Sequence, residues 1–208
     1  MLCLISFFIH INSTQASSGK LIGTAGLNQI EGTGGGGMVP WATLAGYDSQ
    51  EQVSLNAFTT QVHLDDYRLN VLGVSASFYD RVEVSVAQHR IDLKSVSEVI
   101  KQDIYGLKYR LYGDVIYSEW PQVSIGLQYK KLDDGTIASA FGATNSSNGT
   151  DIYLAATKIH LGAFFGFNTV WNVTARATKA NQLGLLGFGG ENNNNYQIMT
   201  EVSSAVFF

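Results

Sequence analysis

The 208-residue sequence predicts an all-β fold, an antiparallel up-and-down transmembrane β-barrel with about ten strands present, and three observations predict it. Residues 53–63, 67–79 and 81–93 are three successive segments of 11 to 13 residues in which Val, Leu, Phe and Tyr recur at alternating places. A period of two is the mark of a strand, and roughly 9 to 11 residues suffice for a tilted strand to cross a bilayer. Charged residues make up only 14% of the chain, against roughly 25% in an average soluble domain. Finally, the longest apolar run, Leu2 to Ile11, is broken by Ser6 and His10 and falls short of the ~18 residues of a spanning helix. A mean hydropathy of +0.05 without such a helix fits apolar residues spread along barrel strands.

Residues 1–16 read as a secretory signal peptide, with an apolar core and Thr14-Gln15-Ala16 as the small-residue cleavage site, although no Lys or Arg precedes the core. The barrel domain is then 17–208. Cys3, the single cysteine, falls in the leader, which excludes a disulfide framework and a cysteine metal site from the remainder.

Residues 20–30 alternate weakly and lead into a glycine run. Gly32, Gly34 and Gly37 match G-x-G-x-x-G, but a dinucleotide site needs a helix next, and 38–47 reads as a strand. No cofactor is therefore expected, and the glycines are read as a turn or as close backbone packing. On the second strand Trp41, Thr43, Ala45 and Tyr47 share a face, with Trp41 and Tyr47 placed as membrane-interface aromatics. After the polar turn 48–52 come the three opening segments. In 81–93 Val82, Val84 and Val86 oppose Glu83, Ser85, Ala87 and His89, an apolar-out, polar-in strand. The segment 67–79 carries apolar residues on both faces, which predicts a bulge near Val71 or a face covered from inside.

Strands at 102–112 and 122–132 put Lys108 and Arg110, and then Lys130, on the inner face. A long polar loop to Asp151 precedes a hairpin of 152–161 and 165–178. There Phe165, Phe167, Trp171 and Val173 oppose Asn168, Asn172, Thr174 and Arg176, and Phe165 and Trp171 join the interface candidates. The Gly- and Asn-rich loop 179–195 leads to a last strand, 196–208. With a periplasmic N-terminus the connections 32–39, 64–66, 94–101, 133–151 and 179–195 fall outside and 48–52, 80, 113–121 and 162–164 in the periplasm. Apart from 64–66 the outer ones are mostly the longer, as in outer-membrane barrels, and the longest all fall on one side.

Several words of the sequence, among them Gly19-Lys20-Leu21, Val39-Pro40-Trp41-Ala42, Asp66-Tyr67-Arg68-Leu69, Tyr79-Asp80-Arg81-Val82-Glu83, Trp120-Pro121-Gln122 and the run 175–182, resemble a proteobacterial family catalogued as domain of unknown function 3034. The resemblance covers nearly everything after Ser18 and implies an outer-membrane β-barrel-like fold, with no activity or catalytic residues attached. Members of that family look longer, so the resemblance also implies a C-terminally truncated barrel, while Phe208 is similar to the aromatic terminus read by the outer-membrane assembly machinery.

The net charge of −4 and the absence of a basic cluster exclude a nucleic-acid footprint. His63, His89 and His160 lie far apart in the chain, so no nucleophile, base and orienting group are placed together and no catalytic residues are expected. Asp133, Asp134 and Asp151 could present oxygens to calcium, but Asp-Asp-Gly is the commoner signature of a turn, and no metal is expected. The expected functional residues are Lys108, Arg110, Lys130, Arg176 and Glu83 along a pore that favours anionic small solutes. Membrane lipid and the assembly machinery are the expected partners, the bacterial outer membrane the expected location, and a non-enzymatic, porin-like channel the leading function. The alternatives are a structural or surface-binding barrel with a plugged interior, in which those cations pair with Glu83 and Glu201, and a soluble secreted β-barrel that binds an apolar ligand.

Overall fold

The computed structural model describes residues 27–94, 98–144, 147–190 and 194–207. The expected signal peptide at 1–16 and the terminal Phe208 lie outside them. Among the described residues ten strands form, but they are not the ten that alternation predicts. Two are short, β1 (Gly35–Gly36) and β2 (Val39–Pro40), and pair only with each other. The other eight are β3 (Val53–His63), β4 (Tyr67–Phe78), β5 (Val82–Leu93), β6 (Glu98–Tyr112), β7 (Gln122–Leu132), β8 (Asn148–Phe164), β9 (Phe167–Thr178) and β10 (Gln197–Phe207). They make one antiparallel sheet in which each strand pairs with its sequence neighbour, curled into a half-barrel with β3 and β10 at its edges.

Alternation decides which way each strand faces. On β5 Glu83, Ser85, Ala87 and His89 are buried while Val84 and Val86 are exposed, and on β7 Gln122, Ser124, Gln128 and Lys130 are buried while Ile125, Leu127 and Tyr129 are exposed. The ladder on both sides of β4 runs without a register shift, so no bulge sits near Val71. Val71 is instead buried because its inner face is covered, the second of the two alternatives for this strand.

What covers it is residues 27–48, which hold the end of the first expected strand (20–30, of which 20–26 lie outside the described residues) and the whole of the second, 38–47. Residues 27–48 do not join the sheet; they fold on themselves and lie against its concave face. The reason is in the glycines. Gly34 passes so close to the backbone of Thr43 to Ala45 that an added Cβ would sit 2.5 Å from the Thr43 carbonyl oxygen, and at Gly36 it would collide with the Trp41 ring. The alternation of Trp41, Thr43, Ala45 and Tyr47 therefore belongs to an interior segment rather than to a spanning strand.

Connections lie on two rims. One rim carries the β3–β4 connection, the end of β5 and start of β6, helix α1 (Thr136–Ala140) between β7 and β8, and the 3-10 turn at Gln182–Gly184 between β9 and β10. The other carries 79–81, 113–121 and the two-residue turn Phe165-Gly166, whose φ angles of 49° and 87° fit a type I′ hairpin. Small apolar clusters close the interior at either rim: Ile91, Ile100, Leu132 and Ala138 at the first, Trp41, Val115, Ile159 and Val170 at the second.

Candidate functional site

Between the two apolar clusters lies a layer of buried charge, built jointly by the sheet and the interior segment. β5 supplies Glu83, β6 Lys108, β7 Lys130, β8 Asp151, β9 Arg176 and β10 Glu201; the segment supplies Glu31. Lys130 bonds Glu31 and lies 2.7 Å from Asp151. Arg176 reaches Glu31 at 2.8 Å, Asp151 at 3.4 Å and Glu201 at 2.7 Å. A second group centres on Glu83, which accepts from the backbone N–H groups of Gly34 at 2.9 Å and Ala45 at 2.5 Å and from the Thr33 hydroxyl. Beside it, 3.6 Å away, Lys108 donates to the carbonyls of Gly34 at 2.7 Å and Thr43 at 2.9 Å.

Buried ions are tolerated only where partners satisfy them, and here each fully buried one finds two or more, while the part-buried Glu201 meets Arg176. Burial alone would push the Glu31 carboxyl up, but the positive charges and hydrogen bonds of Lys130 and Arg176 outweigh it and hold it at about 2. Glu31 is therefore a carboxylate at any ordinary pH.

Neutral groups complete the seat. The Ala42 N–H donates to Thr157 Oγ1 at 2.8 Å, and Gln122 and Ser124 donate to the Ala42 carbonyl at 2.7 and 2.5 Å. Thr174 donates to the Pro40 carbonyl at 2.6 Å, and His89 Nε2 lies 2.8 Å from the Ile30 carbonyl. At the two sheet edges Asn56 of β3 holds the Ala45 carbonyl at 2.9 Å, and Trp41 Nε1 donates to Ser203 of β10 at 2.8 Å. The segment thus spans the gap between the edge strands.

Four of the five expected pore-lining residues, Lys108, Lys130, Arg176 and Glu83, face the interior, where each is buried and bonded to protein groups. Glu83 and Glu201, the carboxylates expected to pair with these cations in a filled interior, lie 3.6 Å from Lys108 and 2.7 Å from Arg176 respectively. Arg110 is displaced from them. It sits at the rim beside the 113–121 connection, bonding Asp80 and the Gly113 carbonyl and lying 3.4 Å from Asp114. A cavity of about 270 Å³ remains beside Lys130, Asp151, Arg176, Leu183, Met199 and Glu201.

The aromatic candidates divide. Trp41 is corrected outright: it is buried in the interior cluster, because residues 38–47 are no spanning strand. Tyr47 is exposed where the segment leaves the interior, and Trp171 is half-buried on β9, its Nε1 donating to His160 of β8 at 3.1 Å. Phe165 is 88% exposed at the tip of its turn. A non-glycine residue in a left-handed conformation costs about 1–2 kcal/mol, so an aromatic ring is kept there against the preference of the turn. Tyr79, Tyr112, Tyr117, Trp120 and Phe164 are exposed at or near the same rim.

His63, His89 and His160 are not brought together: one ends β3, one lies inside, and one is exposed beside Trp171. Asp151, expected in a loop, is buried in β8, while Asp134 accepts from the N–H and hydroxyl of Thr136 in a local turn. Glu31 is the residue that sequence reasoning passed over. One signal was available, since it is the only charged residue between Lys20 and Asp48.

A family model described as "Protein of unknown function (DUF3034)" matches residues 24–208. No curated protein and no solved structure matches the chain.

Proposed function

The chain belongs to the DUF3034 family, and from that premise we propose that it is an outer-membrane β-barrel protein whose interior is filled by its own residues 27–48. The observation that carries this reading is the distribution of polarity, which is inverted relative to a soluble domain. The concave face buries Glu83, Lys108, Lys130, Asp151 and Arg176, while the convex face exposes Leu72, Val74, Leu107, Ile125, Leu127 and Leu154 on adjoining strands. A monomeric soluble protein rarely exposes a continuous apolar surface of this kind; a bilayer takes it up. The two longest connections, β7–β8 and β9–β10, on one rim and the exposed aromatics on the other support the same orientation, with those two connections outside the cell. The leader expected at residues 1–16 would carry the chain to the periplasm, where the assembly machinery receives it. Lipid satisfies no open edge, so the reading requires a strand partner along both β3 and β10 in the membrane.

A filled interior makes the resting protein a structural or surface-binding barrel and not an open pore. The porin-like reading keeps one observation in its favour, the cavity of about 270 Å³ beside the Lys130 and Arg176 layer, which has room for a small solute. Cell fractionation with a heat-modifiability gel tests the location: the expected result is an outer-membrane protein whose unheated form migrates faster than the heated one. Recovery in the soluble periplasmic fraction without detergent would overturn it and favour the soluble barrel. In planar bilayers the intact protein is expected to give no sustained open-channel conductance.

A further inference from the structure

We propose that residues 27–48 are a displaceable insert, able to leave the interior as a unit and open a passage along Glu83, Lys108, Lys130, Asp151 and Arg176. The inference rests on the barrel reading above and adds to it a second state.

Three features of the structure support it. The insert carries its own backbone bonds: Gln29 N–H to Thr33, Ile30 N–H to Gly37, Gly35 N–H to Leu27 and Trp41 N–H to Gly34, all between 2.9 and 3.1 Å, together with the β1–β2 pairing. The bonds that Glu31, Thr33, Gly34, Ala42, Thr43 and Ala45 make to the sheet pass through a side chain on one partner or both. Water can replace bonds of that kind without any strand leaving the ladder.

The second feature is electrostatic. If the insert leaves, the charges of the wall remain paired with one another: Lys108 keeps Glu83, Lys130 keeps Asp151, and Arg176 keeps Asp151 and Glu201. A segment that served only as a permanent core would strand buried ions on departure, at a cost that forbids it. The third feature is the chemistry of the surface uncovered. Beside the ion pairs it is made largely of hydroxyls and amides such as Ser85, Gln122, Ser124, Gln128, Asn172 and Thr174, a surface that water wets, where an unmoving core would be apolar. Glu31, clamped by Lys130 and Arg176, is the latch.

Cysteine accessibility in the full chain, folded into lipid vesicles, tests the proposal. With Cys3, the only native cysteine, replaced by serine, Thr43→Cys marks the insert and Ser85→Cys marks the wall beneath it. Both are expected to react with a membrane-impermeant maleimide while the protein still migrates as the folded form. Adding Glu31→Gln is expected to raise both rates about ten-fold, which corresponds to ~1.4 kcal/mol. Thr33→Val, which removes the hydroxyl that bonds Glu83 and lies 3.2 Å from the Tyr153 hydroxyl and leaves every ion pair in place, serves if Glu31→Gln does not fold. Labelling that proceeds only as fast as the folded band disappears, in the parent and the variant alike, overturns the displaceable insert and leaves the filled barrel standing. Absence of any heat-modifiable band removes the barrel reading and the insert with it.

Discussion

Arg176 on β9 and Glu31 in the interior segment meet at 2.8 Å although 145 positions separate them in the chain. Both are buried, and the guanidinium is shared with Asp151 and Glu201. Arg176→Met would leave those carboxylates short of a partner and is expected to lower stability by about 3–5 kcal/mol. Arg176→Lys, which keeps the charge but loses the fork, should fall between the two. The urea midpoint of protein refolded in detergent micelles measures both; a wild-type midpoint for Arg176→Met would mean that the charged layer is not assembled in solution.

Acid should unseat the interior segment late. The folded Glu31 carboxyl is held at about 2, below its ordinary 4.5, so its stabilising contribution is complete above about pH 4.5 and is lost as pH falls through about 2. The charged and titratable groups that face it are Lys130 on β7, Arg176 on β9, Asp151 on β8, Glu201 on β10 and His89 on β5. Trp41 fluorescence, in a background with Trp120→Phe and Trp171→Phe, is expected to change little between about pH 7 and 5 and to shift under strong acid. Glu31→Gln should abolish that acid step.

The convex face offers a sharp discrimination between lipid and water. Leu127 is exposed near the middle of β7. Leu127→Arg is expected to cost about 2–4 kcal/mol in vesicles if that face meets the bilayer core. An exposed leucine on a soluble surface would tolerate the change within about 0.5 kcal/mol. Unfolding titrations in phosphatidylcholine vesicles read the difference.

Two glycines separate close packing from backbone strain. Gly34→Ala would drive a methyl into the backbone of Thr43 and Ala45, at 2.5 and 2.7 Å, and is expected to destabilise by about 1–3 kcal/mol while loosening the interior segment. Gly166→Ala meets nothing within 4 Å, but its φ of 87° is left-handed, so it should cost about 1–2 kcal/mol without disturbing that segment. Maleimide reactivity of Thr43→Cys in each background separates the two effects.

Facing was legible because it is local. Val82, Val84 and Val86 against Glu83, Ser85 and His89 is a statement about neighbours, and the pleat turns it into outside and inside. The same rule misread Trp41, Thr43, Ala45 and Tyr47, because a segment enclosed by a curled sheet can bury either face and its alternation carries no direction. Glycine content at 32–37 and Gly46 was the cue that this backbone could fold tightly on itself. Partner choice was not legible for the opposite reason. Lys130 could be placed inward from its own strand, but Glu31 is 99 residues away and nothing local ties the two.

The interior segment bridges β3, through Asn56, to β10, through Ser203, so it touches both the earliest and the latest parts of the sheet. Neighbouring hairpins can zip up from short-range contacts, whereas this bridge closes loops of up to 162 residues and carries the larger entropic delay. Synthesis delivers residues 27–48 before the sheet that holds them, yet they gain their full set of bonds only when β10 is in place. Seating of this segment therefore reports completion, and a chain stalled with its last hairpin unformed would leave Trp41 and Glu31 without the partners that Ser203 and Arg176 provide.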